Sequence, residues 1–318
     1  MPLRHSGEME PQHRPYDCVV IGGGPAGLSA AIYLARYNRS VIVADHGSGR
    51  STTHETNENY LGFPDGIRST ELRDLGKRQA ERFGAEFIDC KIAEVSRTED
   101  GFRAACDGVE LHGRTLIFAT GVRDYLPEFE NADVDDFFGR SLFWCITCDG
   151  HKVRNRRVVV VGRDDEAATT TLQFLNFTPQ LTMVTNRPPG GNLISDKKQQ
   201  QLAAADITLI EGRVKKVYGE DGFMNVVELD DGRTLDVDFM FSQQGARPNT
   251  LLARPLGVEL DQVGYIKVDQ EQRTNVAMVF GAGDVTREYA HQIVTAAHEG
   301  STAACTANYE LYRPEQRS

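Results

Sequence analysis

The sequence predicts an α/β protein built from two nucleotide-type βαβ units, the second inserted into the first. Three observations carry that expectation. The segment from Tyr16 to Tyr37, YDCVVIGGGPAGLSAAIYLARY, is an apolar run ending in glycines that continues as an Ala/Leu-rich helical pattern, and SVIVAD closes the unit at Asp45. A second run, RVVVVG from Arg157 to Gly162, restarts the pattern, with DDEAATTTLQFLN as its helix and QLTMVTN as its next strand. The 318 residues suffice for about two domains at roughly 150 residues each.

The remaining elements follow in order. After Asp45 the chain is polar and turn-rich, before a helix from about Ser69 to Gly84 that carries Lys77, Arg78 and Arg82. FRAAC and VELHGRTLIFATG read as hairpin strands. Beyond the second βαβ unit, strands at Val214 to Val217, Met224 to Leu229 and Thr234 to Phe241 form a three-stranded flap. VFGAGDV then precedes a helical stretch from His291 to Leu311.

Composition narrows the function class. Hydrophobic residues make up 40% of the chain, which favours a globular protein over a disordered one. A net charge of −11 opposes binding to a nucleic-acid backbone, which calls for clustered positive charge. Residues 1–14 carry charges but no apolar core, so they read as a disordered tail rather than a secretory signal. With no run of about 18 apolar residues, no membrane span is expected. Six cysteines are too few for a disulfide framework, and Cys18, Cys90, Cys106 and Cys305 stand far apart. The expectation is a soluble chain in the reducing cytoplasm, where an isolated Cys-x-x-Cys is catalytic or metal-binding.

Gly22, Gly24 and Gly27 supply GxGxxG between a strand and a helix, with Asp45 23 positions after Gly22. Gly22 allows the tight turn, Gly24 lets the backbone approach a pyrophosphate, and Gly27 permits close helix packing. The helix N-terminus attracts the anion, and Asp45 accepts from ribose hydroxyls. The pattern does not separate NAD from FAD. In VFGAGDV, Gly283 and Asp284 place backbone N–H groups and a carboxylate at the rim, suited to a ribityl chain and pyrophosphate.

WCITCDG sets Cys145 and Cys148 three residues apart, close enough for a small disulfide ring, with Asp149 next. Thiol–disulfide exchange needs an attacking thiolate, a resolving thiol and a proton carrier. Asp149 fits the last role, and His151 is a second candidate. A zinc site would need four ligands, and no second CxxC or HxxxH occurs. A purely structural pair of thiols is the other alternative.

GGGPAG, ATGV, CxxCDG, the second βαβ unit, VFGAGDV and the helix beginning near HQIVTAA together resemble the low-molecular-weight thioredoxin reductases, from about Tyr16 to Leu311. The resemblance implies two Rossmann-like, three-layer ββα domains: a discontinuous FAD-binding domain over 15–119 and 245–318, and an inserted domain over 120–244 holding the redox CxxC. It implies FAD held by Gly22, Gly24, Gly27, Asp45, Asn59, Thr120, Gly121, Gly283 and Asp284, with Gln292 near the flavin ring. NENYLGFP, which carries Asn59, resembles that family's flavin-contacting loop. The resemblance further implies that Cys145 and Cys148 exchange two electrons with the flavin, that Asp149 is the acid, that a thioredoxin-like or other dithiol/disulfide protein is the partner, and that the chain is a homodimer.

The second unit departs from that family. Where GxGxxA is wanted for NADPH, the chain reads Gly162-Arg163-Asp164-Asp165-Glu166-Ala167. A carboxylate at Asp164 facing a pyrophosphate at about 4 Å costs about 4 kcal/mol per charge pair at an effective dielectric near 20, roughly a thousandfold in affinity. Alternatively, Asp164 simply caps the helix. The 2′-phosphate clamp is reduced to Arg187, followed by Pro188 and Pro189, which lack backbone donors. NADPH is therefore not the expected reductant. Lys152, Arg154, Arg156 and Arg157 read as a solvated linker face, or as a docking patch for an acidic partner such as ferredoxin. GRSTTHETNENYLGFPDG, SLFWCITCDGHK and VGRDDEAA most resemble the diflavin-linked disulfide oxidoreductases of oxygenic photosynthetic bacteria, which implies a second FAD and electron flow from a dithiol toward flavin. The rivals are a ferredoxin- or NADPH-dependent thioredoxin reductase and a flavin-binding redox sensor or scaffold.

Overall fold

The computed structural model describes residues 15–53, 55–187 and 191–317. The tail expected over 1–14 and the prolines 188 and 189 lie outside the described residues. The chain divides into two compact units. The first takes 15–47, 73–121 and 248–317, and the second takes Ser48–Leu72 and Val122–Arg247.

The first unit is built on a seven-stranded sheet. Its central strand, Tyr16–Ile21, pairs in parallel with Val41–Asp45 on one side and with Val109–Phe118 on the other, and Glu86–Asp89 extends the parallel edge. The second half of Val109–Phe118 also pairs in parallel with Val279–Gly281, while its first half forms an antiparallel meander with Gly101–Cys106 and Glu94–Thr98. The strand alternation sorts the core into two layers. Cys18 and Val20 face a helical layer made by Pro25–Arg36 and Ile293–Glu310, whose alanines pack closely. Val19 and Ile21 face the opposite layer with Ile42, Phe102, Leu116 and Phe118. Both faces are covered, so YDCVVI reads as a continuous apolar run.

The Pro25–Arg36 helix starts where the sequence asks it to. Gly24 stands at the N-cap in extended conformation, with Pro25 in the first turn. Asn38, at φ 61°, turns the chain after the helix toward the next strand.

The second unit repeats the scheme. Five parallel strands run in the order Leu142–Phe143, Phe239–Ser242, Val158–Val161, Leu181–Val184, Thr208–Ile210. Val158 and Val160 face the helices Asp165–Gln173 and Asp196–Ala204 through Ala167, Ala168 and Leu202. Val159 and Val161 face an antiparallel three-stranded sheet of Val214–Glu220, Phe223–Leu229 and Thr234–Asp236. Each unit thus has the three-layer ββα arrangement expected from the sequence.

Two local expectations are corrected. The strand expected over Thr234 to Phe241 is two strands. Thr234–Asp236 ends the flap, and Phe239–Ser242 enters the parallel sheet, because Asp238 is held at the break by the backbone N–H and guanidinium of Arg157 at 2.9 and 2.8 Å. Residues 48–72, placed with the first domain from sequence, cluster with the second unit instead. Arg50 pairs with Asp124 at 2.7 Å and lies over the Trp144 ring, and Lys152 pairs with Glu58 at 3.3 Å. These polar and cation–π contacts tie the segment to the rest of the second unit.

Candidate functional site

In the first unit the glycine-rich turn, Asp45, Thr120, Gly121, Gly283 and Asp284 all come together at the carboxyl ends of parallel strands, the place where open α/β sheets bind ligands. Gly22 has φ 108°, and a Cβ there would fall on the carbonyl oxygen of Ala119. A Cβ on Gly27 would meet the Gly22 carbonyl oxygen, so the helix lies as near the turn as backbone permits. The helix receives no side-chain cap from Gly24, which leaves its N-terminal N–H groups suited to an anion. Asp45, at the end of its strand, accepts from the Arg73 guanidinium at 2.8 Å. The Thr120 hydroxyl donates to the Asn249 carbonyl at 2.7 Å, and the Asn249 amide returns a bond to the Thr120 carbonyl at 2.9 Å. Gly283 is buried with φ 82°, and a Cβ there would lie 2.8 Å from that of Ala26 at the start of the helix. Gln292 stands at the N-cap position of the Ile293–Glu310 helix, in extended conformation. The close glycine approaches, the uncapped helix terminus and the carboxylate fit an adenine dinucleotide such as FAD.

In the second unit Cys145 and Cys148 form a disulfide with Cα atoms 5.2 Å apart. Cys145 sits at the N-cap of the short helical turn Ile146–Asp149, and its sulfur accepts from the Cys148 N–H at 3.0 Å. Both cysteines are half-buried, while Asp149 is only 1% exposed. Lys152 Nζ pairs with Asp149 Oδ1 at 2.9 Å and with Glu58 at 3.3 Å. Burial opposes the charge on Lys152, yet the Asp149 and Glu58 carboxylates outweigh it and raise the ammonium's pKa. His151 is exposed and lies 3.3 Å from the same Glu58. The redox pair therefore has an ion-paired carboxylate as its immediate neighbour, with a histidine nearby.

The second glycine turn is occupied by its own chain. Asp164 caps the Asp165–Gln173 helix, its Oδ1 accepting from the Ala167 N–H at 3.0 Å. The Leu193 N–H donates to the Arg163 carbonyl at 2.8 Å, and the Ser195 N–H donates to Asp165 Oδ1 at 2.7 Å. Segment 193–195 thus lies across the start of the helix. A Cβ on Gly162 would meet that of Ala167 and lie 2.7 Å from the Gln243 carbonyl oxygen, so the backbone approach leaves no room for a side chain.

Comparisons with known proteins identify the family. Residues 16–300 match the family described as pyridine nucleotide-disulphide oxidoreductase. The chain belongs to that family. It is 31% identical to the thioredoxin reductase of Treponema pallidum, over 92% of this chain and 96% of the relative, and 33% identical to that of Streptomyces coelicolor, over 91% and 92%. The crystal structure of thioredoxin reductase from Streptococcus pyogenes superposes with a TM-score of 0.85 at 27% identity, covering 93% of this chain and 98% of that one. The protein is thus a flavin-dependent disulfide oxidoreductase of the thioredoxin-reductase fold, and FAD is the cofactor its family supports.

Several residues of this oxidoreductase were misplaced or missed from sequence. Lys152 and Arg157 do not belong to a free linker face: Lys152 is paired with Asp149, and Arg157 is paired with Asp236 and Asp238 at 3.1 and 2.8 Å. Of that group, Arg154 and Arg156 are exposed. Asn59 is exposed within the 48–72 segment of the second unit. Arg73 was not singled out, because only the fold brings it to Asp45 from 28 residues away. Glu299 was also missed. It is 1% exposed in the Ile293–Glu310 helix, accepts from the Gly283 N–H at 2.7 Å and the Thr286 hydroxyl at 3.1 Å, and pairs with Arg287. An acidic residue in an otherwise Ala-rich helix was the available signal. Cys90 and Cys106, read as isolated thiols, form a second disulfide with Cα atoms 6.1 Å apart, because the chain after Cys90 runs to the Gly101–Cys106 strand, where the Ala93 N–H donates to the Ala105 carbonyl at 2.8 Å. Cys18, fully buried in the core, has its thiol pushed up to about 12 by that burial.

Proposed function

We propose that this protein is an FAD-dependent oxidoreductase that exchanges electrons between flavin and the Cys145/Cys148 pair, with a dithiol/disulfide partner of the thioredoxin type, and that it does not use NADPH in the family's usual way. The observation that carries the second half is the Asp164 cap, with segment 193–195 laid over the same helix start. A pyrophosphate entering there would have to displace a hydrogen-bonded carboxylate and then face the charges of Asp165 and Glu166. Arg187, exposed at the end of the next strand, is the remaining candidate for a 2′-phosphate clamp.

On this reading Gly22, Gly24 and Gly27, Asp45, Thr120, Gly121, Gly283 and Asp284 bind the dinucleotide. Asn59 and Gln292 are proposed flavin contacts. FAD supplies a two-electron carrier when bound. In the exchange a partner thiolate attacks one sulfur of the Cys145–Cys148 disulfide, and the departing thiolate takes a proton. The second partner sulfur then closes the partner's disulfide, leaving the pair as a dithiol. The Asp149 carboxylate, ion-paired with Lys152 at 2.9 Å, is the proposed proton relay beside the pair.

Replacing Cys148 by Ser tests the pair: dithiol should no longer reduce the flavin, and undiminished reduction would favour a flavin-binding sensor or scaffold. The second flavin implied by the diflavin resemblance is tested by counting flavin released per chain on denaturation. Two per chain would support it, and one in fully loaded protein would reject it.

A further inference from the structure

We propose that Cys90 and Cys106 form a second dithiol–disulfide couple, chemically separate from the Cys145/Cys148 pair, that takes electrons from a dithiol and sets how tightly the adenosine end of the flavin site is held. The proposal rests on the reading of that site as an FAD site. Both residues lie in the first unit, and their position suits the role. Cys90 follows the edge strand Glu86–Asp89, and its N–H donates at 3.0 Å to the carbonyl of Asp45, the residue whose carboxylate faces the glycine-rich turn. Cys106 ends Gly101–Cys106, just before the tight turn of Asp107 and Gly108, at φ 42° and 83°. The disulfide therefore ties the segment that carries Asp45's backbone partner to a rigid hairpin.

Accessibility selects the sulfur that reacts. Cys106 is 2% exposed within an apolar cluster, whereas Cys90 is half-buried between the exposed residues Asp89 and Lys91. A dithiol's thiolate attacks Cys90 Sγ, the bond between the cysteines breaks, and Cys106 leaves as a thiolate that takes a proton. The reagent's second sulfur then attacks the mixed disulfide and releases Cys90 as a thiol. Two electrons and two protons pass to the pair, and the dithiol ends as its own disulfide. Once reduced, the 90–93 segment keeps its backbone bonds but loses its covalent tie, so Asp45 is less firmly placed.

The test uses flavin-loaded protein carrying Cys145→Ser and Cys148→Ser, so that only this pair can cycle. Samples equilibrated across a graded dithiothreitol redox buffer are trapped with a mass-tagging maleimide, and flavin release is followed by its fluorescence. The expected result is the joint appearance of two tagged thiols, at Cys90 and Cys106, in still-folded protein. Flavin release should then be about fivefold faster or more, the low end of ordinary coupling between sites. Adding Cys90→Ala and Cys106→Ala should fix release at the fast rate whatever the buffer. Thiols that stay protected until the protein unfolds, or that are already free in fully oxidised protein, would overturn the couple. Joint reduction with unchanged flavin release would overturn its link to the flavin site, and protein that never loads flavin would instead reject the underlying FAD reading.

Discussion

At the scale of single residues, the site depends on buried charges with designated partners. Glu299 is the clearest case, since one carboxylate accepts from Gly283 and Thr286 and pairs with Arg287. Truncation to Ala leaves the buried Gly283 N–H without its acceptor, at a cost of about 2 kcal/mol. The expected outcome is flavin that dissociates at least tenfold faster, with Glu299→Gln intermediate; a dissociation rate unchanged in Glu299→Ala would show that Gly283 is held by other means. Lys152 stands in the same relation to Asp149. Lys152→Met strands a carboxylate that is 1% exposed and should destabilise the protein by about 2 kcal/mol, measured by urea unfolding. Thiol exchange at the neighbouring cysteines should slow as well.

At the scale of elements, the second glycine turn separates what was legible from what was not. That the Asp165–Gln173 helix follows a strand and a glycine was evident from periodicity, and the capping role of Asp164 was one of two readings the chemistry allowed. That Leu193 and Ser195 cross the same turn was not legible, because the contact spans about thirty residues and depends on how the intervening loop returns. Asp164→Ala should cost about 1 kcal/mol of stability through the lost cap. It should not confer reduction by NADPH, since the bonds from Leu193 and Ser195 remain. The break between Thr234–Asp236 and Phe239–Ser242 belongs to this scale too. The Asp238 carboxyl is held below its ordinary value, chiefly by the hydrogen bond from Arg157. A group depressed on folding contributes stability above its unfolded pKa, and that contribution is lost as pH falls through the folded one. Wild type should therefore exceed Asp238→Asn in stability at neutral pH, with the gap closing in acid; a gap constant with pH would exclude the ionic contribution.

At the scale of the whole molecule, the two nested βαβ patterns revealed the architecture because each depends on local period and glycine placement. The cofactor-side glycines were legible for the same reason: Gly22 and Gly27 sit where backbone lies too near for any side chain. The pairings of Asp45 with Arg73, Gly283 with Glu299, and Cys90 with Cys106 were not legible, because sheet order and helix packing create them. Residues 48–72 cluster with the second unit through polar anchors such as Arg50 on Trp144, which leave no periodic signal in the sequence. The proposed function joins an intact redox pair that serves a flavin to a second glycine turn bridged by the Asp164 carboxylate and the backbone of residues 193–195. Anaerobic mixing of the flavin-loaded protein with dithiothreitol and, separately, with NADPH, followed at the flavin's blue absorption band, separates this function from an NADPH-driven one. Bleaching by the dithiol and none by NADPH on the same timescale is the expected result; rapid bleaching by NADPH would overturn the non-NADPH reading.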